Sequence, residues 1–274
     1  MVIDCKTISA MKRELIKEQV RGMGITPTLA VVLALEDPAS QVYVRNKRKA
    51  CEEVGYNFEM YSSVDAVNTL AMRDDVHGIL VQLPLPHGID ANKVIANIPP
   101  EKDVDALTPT NMGKLVLGTQ DFAPCTPTGI MTILDTVCGP VSGANCVVIG
   151  RSNIVGKPMA IMLTQQNATV TLCHSHTEDL VDITSKADIL ISAVGKAGFV
   201  TANMVKKGAI VIDVGMNRDK SGKLCGDVCF DEVVDKVDAI TPVPGGVGIM
   251  TVTSLLENTL NAAKLLKGEQ HGKN

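Results

Sequence analysis

Cys146-Val147-Val148-Ile149-Gly150-Arg151-Ser152-Asn153-Ile154-Val155-Gly156-Lys157-Pro158 reads as a strand, a glycine-bearing turn and the opening of a helix. The continuous apolar, β-branched run before Gly150 suits a strand covered on both faces. Pro158 falls in the first helical turn, where a missing N–H costs nothing. Such a turn gathers free N–H groups at the positive end of a helix dipole, a ready cradle for an anion. Its glycines, Gly150 and Gly156, do not follow the common GxGxxG spacing. Alone, therefore, the segment fits a phosphate cradle or a plain α/β connection.

Similar apolar runs recur at residues 28–35, 78–83, 169–172, 189–193, 209–214 and 239–241, with helical patterns between them. That alternation predicts an α/β fold with mostly parallel strands. One helix is expected from Ser40, as N-cap, to a stop at Gly55, and the last long helix from about residue 251 to 266. Residues 99–103 and 124–128 are proline-bearing joints that bracket the change from the first α/β half to the second. Residues 241–248, Thr-Pro-Val-Pro-Gly-Gly-Val-Gly, form a stiff, tightly turned stretch. It suits either close approach of a ligand to the main chain or a crossover between domains.

Composition narrows the function. The chain has 274 residues, 45% hydrophobic and 20% charged, enough for one large or two ordinary domains. A net charge of −4 and 3% aromatic residues without Trp give no footprint for nucleic acid or a membrane surface. No apolar run approaches the ~18 residues of a membrane span. Cys225 and Cys229 flank Gly226-Asp227-Val228 with no second Cys/His pair at zinc spacing, so no metal site is expected. The absence of a signal-like segment after Met1 and the eight scattered cysteines predict reduced thiols and a cytoplasmic protein.

The second strand of the nucleotide half sharpens the cofactor. Dinucleotide folds that hold NAD usually carry an acidic residue at the end of that strand to bind the ribose 2′-hydroxyl. Here Thr169-Val170-Thr171-Leu172 runs into Cys173-His174-Ser175-His176-Thr177, with no carboxylate before Glu178. Arg151 and Ser152 on the first turn, with Ser175 on the second, offer a 2′-phosphate site, which favours NADP. His174 and His176 read equally as ordinary loop histidines. Ala193, Val194 and Gly215 follow later strands and would let a cofactor lie against the backbone at the sheet edge where α/β ligands bind.

In the first half, Tyr43 and Lys47 stand four apart, on one face if the segment is a helix. An aromatic surface beside an amine whose pKa falls on desolvation suits a flat substrate and a proton transfer. By itself the pair is better read as an ordinary solvated helix face. The basic run 45–49 is read as such a face, with Lys47 pointing inward.

Four segments of this half stand together with the two glycine loops: Tyr43/Lys47, Val81-Gln82-Leu83-Pro84-Leu85-Pro86, Lys102-Asp103-Val104-Asp105 and Pro124-Cys125-Thr126-Pro127-Thr128-Gly129. In this order the sequence closely resembles the bifunctional methylenetetrahydrofolate dehydrogenase/cyclohydrolase family, over nearly the whole chain. The resemblance implies two α/β domains with a cleft between them: a folate-binding catalytic domain of residues 1–120 plus 250–274, and a Rossmann-like NADP-binding domain of residues 121–249. It implies oxidation of 5,10-methylenetetrahydrofolate with NADP and hydrolysis of the methenyl product to 10-formyltetrahydrofolate, in a homodimer. Tetrahydrofolate derivatives, polyglutamylated forms included, are the expected partners. Lys47 matches the family's catalytic lysine, Tyr43 its stacking tyrosine, Gln82 the glutamine that tunes the lysine and Asp105 the aspartate that holds the pterin. Pro244 and Gly245 match the loop bordering folate and nicotinamide. Gly150, Arg151, Ser152, Ile154, Val155, Ser175, Ala193, Val194 and Gly215 are the expected cofactor contacts. Asp103 is assigned a turn or capping role, and Cys125, expected near the cofactor, that of a small buried hydrophobe.

The chain departs from the family pattern at Ile249, where the loop normally has Pro and where its loss predicts a looser or reshaped loop. The stretch between Gly55 and Val76 is shorter than in the family pattern, which predicts a trimmed helix there. Gly226-Asp227-Val228-Cys229-Phe230 replaces GDVDF, leaving Cys229 without a functional reading. Among rivals, a short-chain dehydrogenase would need its glycine motif before Tyr43, the reverse of the order here. A dehydrogenase without hydrolase activity, or a silent folate sensor, is disfavoured by the presence of Lys47, Gln82 and Asp105.

Overall fold

The strand Thr28–Val32 is buried at every residue and forms the centre of a three-stranded parallel sheet. The computed structural model describes residues 1–35 and 37–271. In chain order the first elements are α1 (Cys5–Met23), β1 (Thr28–Val32), α2 (Pro38–Val54), β2 (Asn57–Tyr61), α3 (Ala66–Ala71), β3 (Gly78–Val81), α4 (Ala91–Ile95) and α5 (Pro109–Leu117). There follow α6 (Cys125–Cys138), β4 (Asn145–Ile149), α7 (Gly156–Gln165), β5 (Thr169–Cys173), α8 (Leu180–Thr184), β6 (Ile189–Ser192) and β7 (Ile210–Asp213). The hairpin β8 (Asn217–Arg218) and β9 (Leu224–Cys225), then α9 (Phe230–Val233), β10 (Ala239–Ile240) and α10 (Val247–His271), complete the order.

The chain divides into two compact units. One comprises Ala10–Cys125 with the chain from Val252 on, the other Met1–Ser9 with Thr126–Thr251. The first carries the sheet β2-β1-β3, whose two pairings are both parallel. Leu29, Val31, Leu80 and Val104 pack with Leu255, Leu256 and Leu260 of α10 on one side. Ala30, Val32, Ile79 and Val81 pack with Val67, Leu70 and Ile95 on the other.

The second unit holds a five-stranded parallel sheet of order β10-β7-β6-β4-β5. Its order reverses between β4 and β6, the switch point at whose carboxyl edge doubly wound sheets bind ligands. Ile130, Ile133, Met159 and Leu163 cover one face, and Met204, Val205, Val233 and Val237 the other. Met1–Ser9 belongs here because Val2 bridges to Ile240, and the Ile3 N–H donates to the Ile240 carbonyl at 2.9 Å.

The expected α/β architecture with parallel strands is present, and its differences from the sequence reading have local causes. The strand expected over 28–35 stops at Val32, and that over 78–83 stops at Val81. Pro84, without an N–H, cannot carry a ladder onward. Helix α2 begins at Pro38, not Ser40; Asp37 Oδ1 accepts the Ser40 N–H at 3.0 Å, so Asp37 is the cap and Pro38 takes the first position. Between Gly55 and Val76 the chain holds an edge strand, β2, as well as the short helix α3. Helix α10 opens at Val247, before the expected residue 251, and Ile249 sits in its first turn with its N–H donating to the Gly246 carbonyl at 3.1 Å.

Candidate active site

Helix α2 presents Tyr43, Lys47 and Cys51 at successive i, i+4 positions, one above another. Val44, Ala50, Cys51 and Val54 anchor the helix in the core. The Lys47 amine donates to Gln82 Oε1 at 2.7 Å, and Gln82 Nε2 donates to the Leu83 carbonyl at 2.8 Å. Both ends of the amide are therefore engaged, and its acceptor faces the lysine. Gln82 reaches this position because its own N–H donates to the Val32 carbonyl at 2.9 Å, holding it at the carboxyl end of β3.

Burial of the Lys47 amine lowers its pKa from the ordinary 10.5, and the charge of Asp105 with smaller contributions from Cys125 and Cys51 partly offsets this. Burial raises the Asp105 carboxyl from 3.8, offset in turn by Lys47 and by a hydrogen bond from Cys125. Each group is thus pushed toward its neutral form by desolvation and held back by the other's charge. Tyr43, half-buried, has its phenol raised by the same desolvation.

The turn bearing Asp105 is rigidly built. Asp103, 1% exposed, accepts from Leu107 N at 3.2 Å, Thr108 N at 2.7 Å and Asn111 Nδ2 at 3.0 Å. That is the turn role expected of it, and it leaves Asp105 as the carboxylate facing Lys47. Beneath the turn, Asn258 Nδ2 donates to the Val104 and Ala123 carbonyls, each at 2.9 Å, and the Cys125 thiol donates to the Val104 carbonyl at 3.2 Å. Cys125, 1% exposed with its thiol pKa well above normal through burial, is a packed supporting residue here. The supporting roles of Cys51 and Asn258 had no sequence signal beyond the i+4 spacing of Cys51 from Lys47.

In the other unit, the turn from β4 to α7 carries Gly150, Arg151, Ser152, Ile154 and Val155. Gly150 has φ 115°, and a Cβ there would strike the Ala193 carbonyl. A Cβ on Gly156 would strike the carbonyl of Gly150 itself. These glycines draw the turn tight against the end of β6 at the switch point. Ser152 Oγ accepts from Val155 N at 3.1 Å and Gly156 N at 3.4 Å, so the hydroxyl braces the turn. Arg151 and Ser175 are exposed, one beyond β4 and the other beyond its neighbour β5, where Ile149 pairs with Cys173. Ala193 and Val194 follow β6, and Gly215 follows β7. Pro244 and Gly245 lie between β10 and α10 in this unit, whereas Tyr43, Lys47, Gln82 and Asp105 are gathered in the other.

Two family models match the chain: "Tetrahydrofolate dehydrogenase/cyclohydrolase, catalytic domain" over residues 3–105, and "Tetrahydrofolate dehydrogenase/cyclohydrolase, NAD(P)-binding domain" over residues 124–267. The chain belongs to the tetrahydrofolate dehydrogenase/cyclohydrolase family. Among family members, the bifunctional protein FolD of Methanoculleus marisnigri is 54% identical, with 97% of each chain covered. That of Bacillus subtilis is 50% identical, with 96% of this chain and 97% of its own covered. The crystal structure of the bifunctional enzyme FolD from Campylobacter jejuni superposes with a TM-score of 0.93 at 46% identity, covering 97% of this chain and 99% of that one. The Trypanosoma brucei methylenetetrahydrofolate dehydrogenase-cyclohydrolase, complexed with NADP cofactor and inhibitor, gives 0.91 at 38% identity, covering 97% of each.

Proposed function

We propose that this member of the family oxidises 5,10-methylenetetrahydrofolate to 5,10-methenyltetrahydrofolate with NADP and hydrolyses that product to 10-formyltetrahydrofolate. The observation that carries this reading is the half-buried Lys47, its amine lowered in pKa by desolvation and oriented by the Gln82 amide at 2.7 Å. An amine lowered from its ordinary value gives up its proton more readily, which suits the proton transfers that hydrolysis demands.

The residues present fit the cofactor. Gly150 and Gly156 let the β4–α7 turn close against the end of β6, where a Cβ on either would strike backbone, and this tight strand–turn–helix is the backbone shape that cradles a pyrophosphate. Gly150, Arg151, Ser152, Ile154, Val155, Ser175, Ala193, Val194 and Gly215 are the residues that would hold it, Arg151 and Ser175 toward the 2′-phosphate. Bound NADP supplies the acceptor for the hydride lost from the substrate. Losing hydride leaves a carbon flanked by two nitrogens, a resonance-stabilised cation, so oxidation needs alignment more than acid catalysis. Tyr43 offers its ring to the pterin face, Asp105 accepts hydrogen bonds from the pterin's donor edge, and Pro244 and Gly245 border the folate. In hydrolysis Lys47 moves the protons, taking one as water attacks the methenyl carbon and returning one as the ring opens. Gln82 keeps the amine aimed.

Polyglutamylated folates belong to the proposed substrate class. The proposal extends to a homodimer in the cytoplasm. All eight cysteines are free thiols, and among the described residues no helix is long and apolar enough to cross a membrane. Light scattering checks the dimer.

The decisive assay follows methenyltetrahydrofolate spectroscopically with NADP and with NAD, for the wild type and Lys47→Met. The expected result is NADP-dependent formation by the wild type and loss of methenyltetrahydrofolate hydrolysis in the variant. Unchanged hydrolysis in Lys47→Met removes the role given to the amine, and a preference for NAD removes the cofactor assignment.

A further inference from the structure

The segment Gly226-Asp227-Val228 carries a charged residue that the reaction above does not use. Asp227 is fully buried at 0% exposure, and its carboxylate accepts five hydrogen bonds. Three come from consecutive backbone N–H groups after β6: Val194 at 2.8 Å, Gly195 at 3.3 Å and Lys196 at 2.9 Å. Ser192 Oγ donates at 3.1 Å, and Asn217 Nδ2 at 2.9 Å. These partners are donors, the set an anionic carboxylate satisfies without a cation.

A second buried carboxylate completes the arrangement. Asp213, 4% exposed, accepts from Gly215 N, Asp227 N and Val228 N, each at 2.9 Å. Its own N–H donates to Thr241 Oγ1 at 2.8 Å, at the start of the proline-glycine loop. Side chains are excluded from the crossing: a Cβ on Gly215 would strike Asp227, and one on Gly226 would strike Asp213. Four segments along the carboxyl edge of the sheet are thereby tied together, 193–196, 215–217, 226–228 and 241.

We propose that Asp227 is a positioning residue for the cofactor, its carboxylate holding the backbone of residues 194–196 in the shape against which NADP lies. The inference rests on the cofactor reading above. Loss of the acceptor frees three N–H groups at once and lets the 193–196 loop relax. The five bonds of the Asp227 carboxylate reach none of Lys47, Gln82, Asp105, Pro244 or Gly245, so hydrolysis of added methenyltetrahydrofolate without cofactor reports on groups that this carboxylate does not hold.

The test is Asp227→Asn, which keeps the size but turns an NH2 toward N–H donors, alongside Asn217→Ala, which removes one partner from a half-exposed hairpin. NADP affinity is measured by calorimetry, oxidation by KM and kcat, and hydrolysis separately. Expected for Asp227→Asn is about a tenfold or greater rise in the Kd and KM for NADP, as for a lost charge-assisted bond, with cofactor-free hydrolysis retained. Asn217→Ala should show a smaller rise of the same kind. Unchanged NADP affinity in folded Asp227→Asn overturns the proposal, as does a parallel fall of oxidation and hydrolysis. Should Asp227→Asn fail to fold, unchanged affinity in Asn217→Ala overturns it. A wild type that does not bind NADP instead overturns the reading beneath.

Discussion

The amine of Lys47 donates to Gln82 Oε1 at 2.7 Å, while Asp105 bears on the same amine through its charge. Gln82 supplies direction without charge, and Asp105 supplies charge. The glutamine therefore aims the lysine, and the aspartate limits how far burial depresses it.

Asp105→Asn separates these two effects. An amide keeps the shape but loses the charge-assisted acceptor, so the KM for the folate should rise about tenfold to a hundredfold. The affinity for NADP should not change. Removing the Asp105 charge also removes the main offset to the desolvation of Lys47. The amine's pKa then falls further, and the acidic limb of the hydrolysis pH profile should move to lower pH. A folate KM within twofold, or an acidic limb moved to higher pH, contradicts the assignment.

Burial of Lys47 should also register in stability, with a definite sign. Its folded pKa lies below the ordinary 10.5, so the folded state releases the proton first as pH rises. Below the folded value both states are protonated and the cost of burying the charge is fully present. Between the folded value and 10.5 the unfolded chain binds more protons, and stability rises with pH. Lys47→Met removes this term. The melting temperature of the wild type relative to Lys47→Met should therefore climb as pH approaches 10.5. Parallel melting curves of the two proteins from neutral pH upward check it, and a difference that falls with pH contradicts it.

Much of the fold was readable because β4, β6 and β7 are covered on both faces and appear as unbroken apolar runs. Strand β2 lacks that mark. It is an edge strand whose residues are exposed or only partly buried, and Asn57 and Glu59 break its apolar density. The hairpin β8–β9 pairs only two residues from each strand, too few for any periodicity. At the site, Lys47, Gln82 and Asp105 were recognisable as residue types in order, but the depressed amine is a product of tertiary burial. Asp227 was harder still: its partners are mostly backbone N–H groups, which any residue supplies, so a buried anchor reads in sequence like a turn aspartate. Ile249 shows the opposite case. Its N–H enters a first-turn bond to Gly246, and α10 opens at Val247 without the proline of the family pattern.

Arg151 and Ser152 are adjacent, yet the roles proposed for them differ, and their variants should differ in kind. Arg151 is exposed beyond β4, on the side of Ser175, and no carboxylate stands at the end of β5 to select NAD. Arg151→Ala should weaken NADP by about tenfold to a hundredfold, the range of a charged hydrogen bond, and leave NAD nearly unaffected. Ser152 Oγ instead accepts the Val155 and Gly156 N–H groups at 3.1 and 3.4 Å, so Ser152→Ala loosens the turn that both cofactors would use. It should weaken NADP and NAD by similar factors. The ratio of kcat/KM for the two cofactors reports the difference directly: it should collapse in Arg151→Ala and hold in Ser152→Ala. A ratio unchanged in Arg151→Ala would show that the 2′-phosphate is read elsewhere, with Ser175→Ala the next variant to measure.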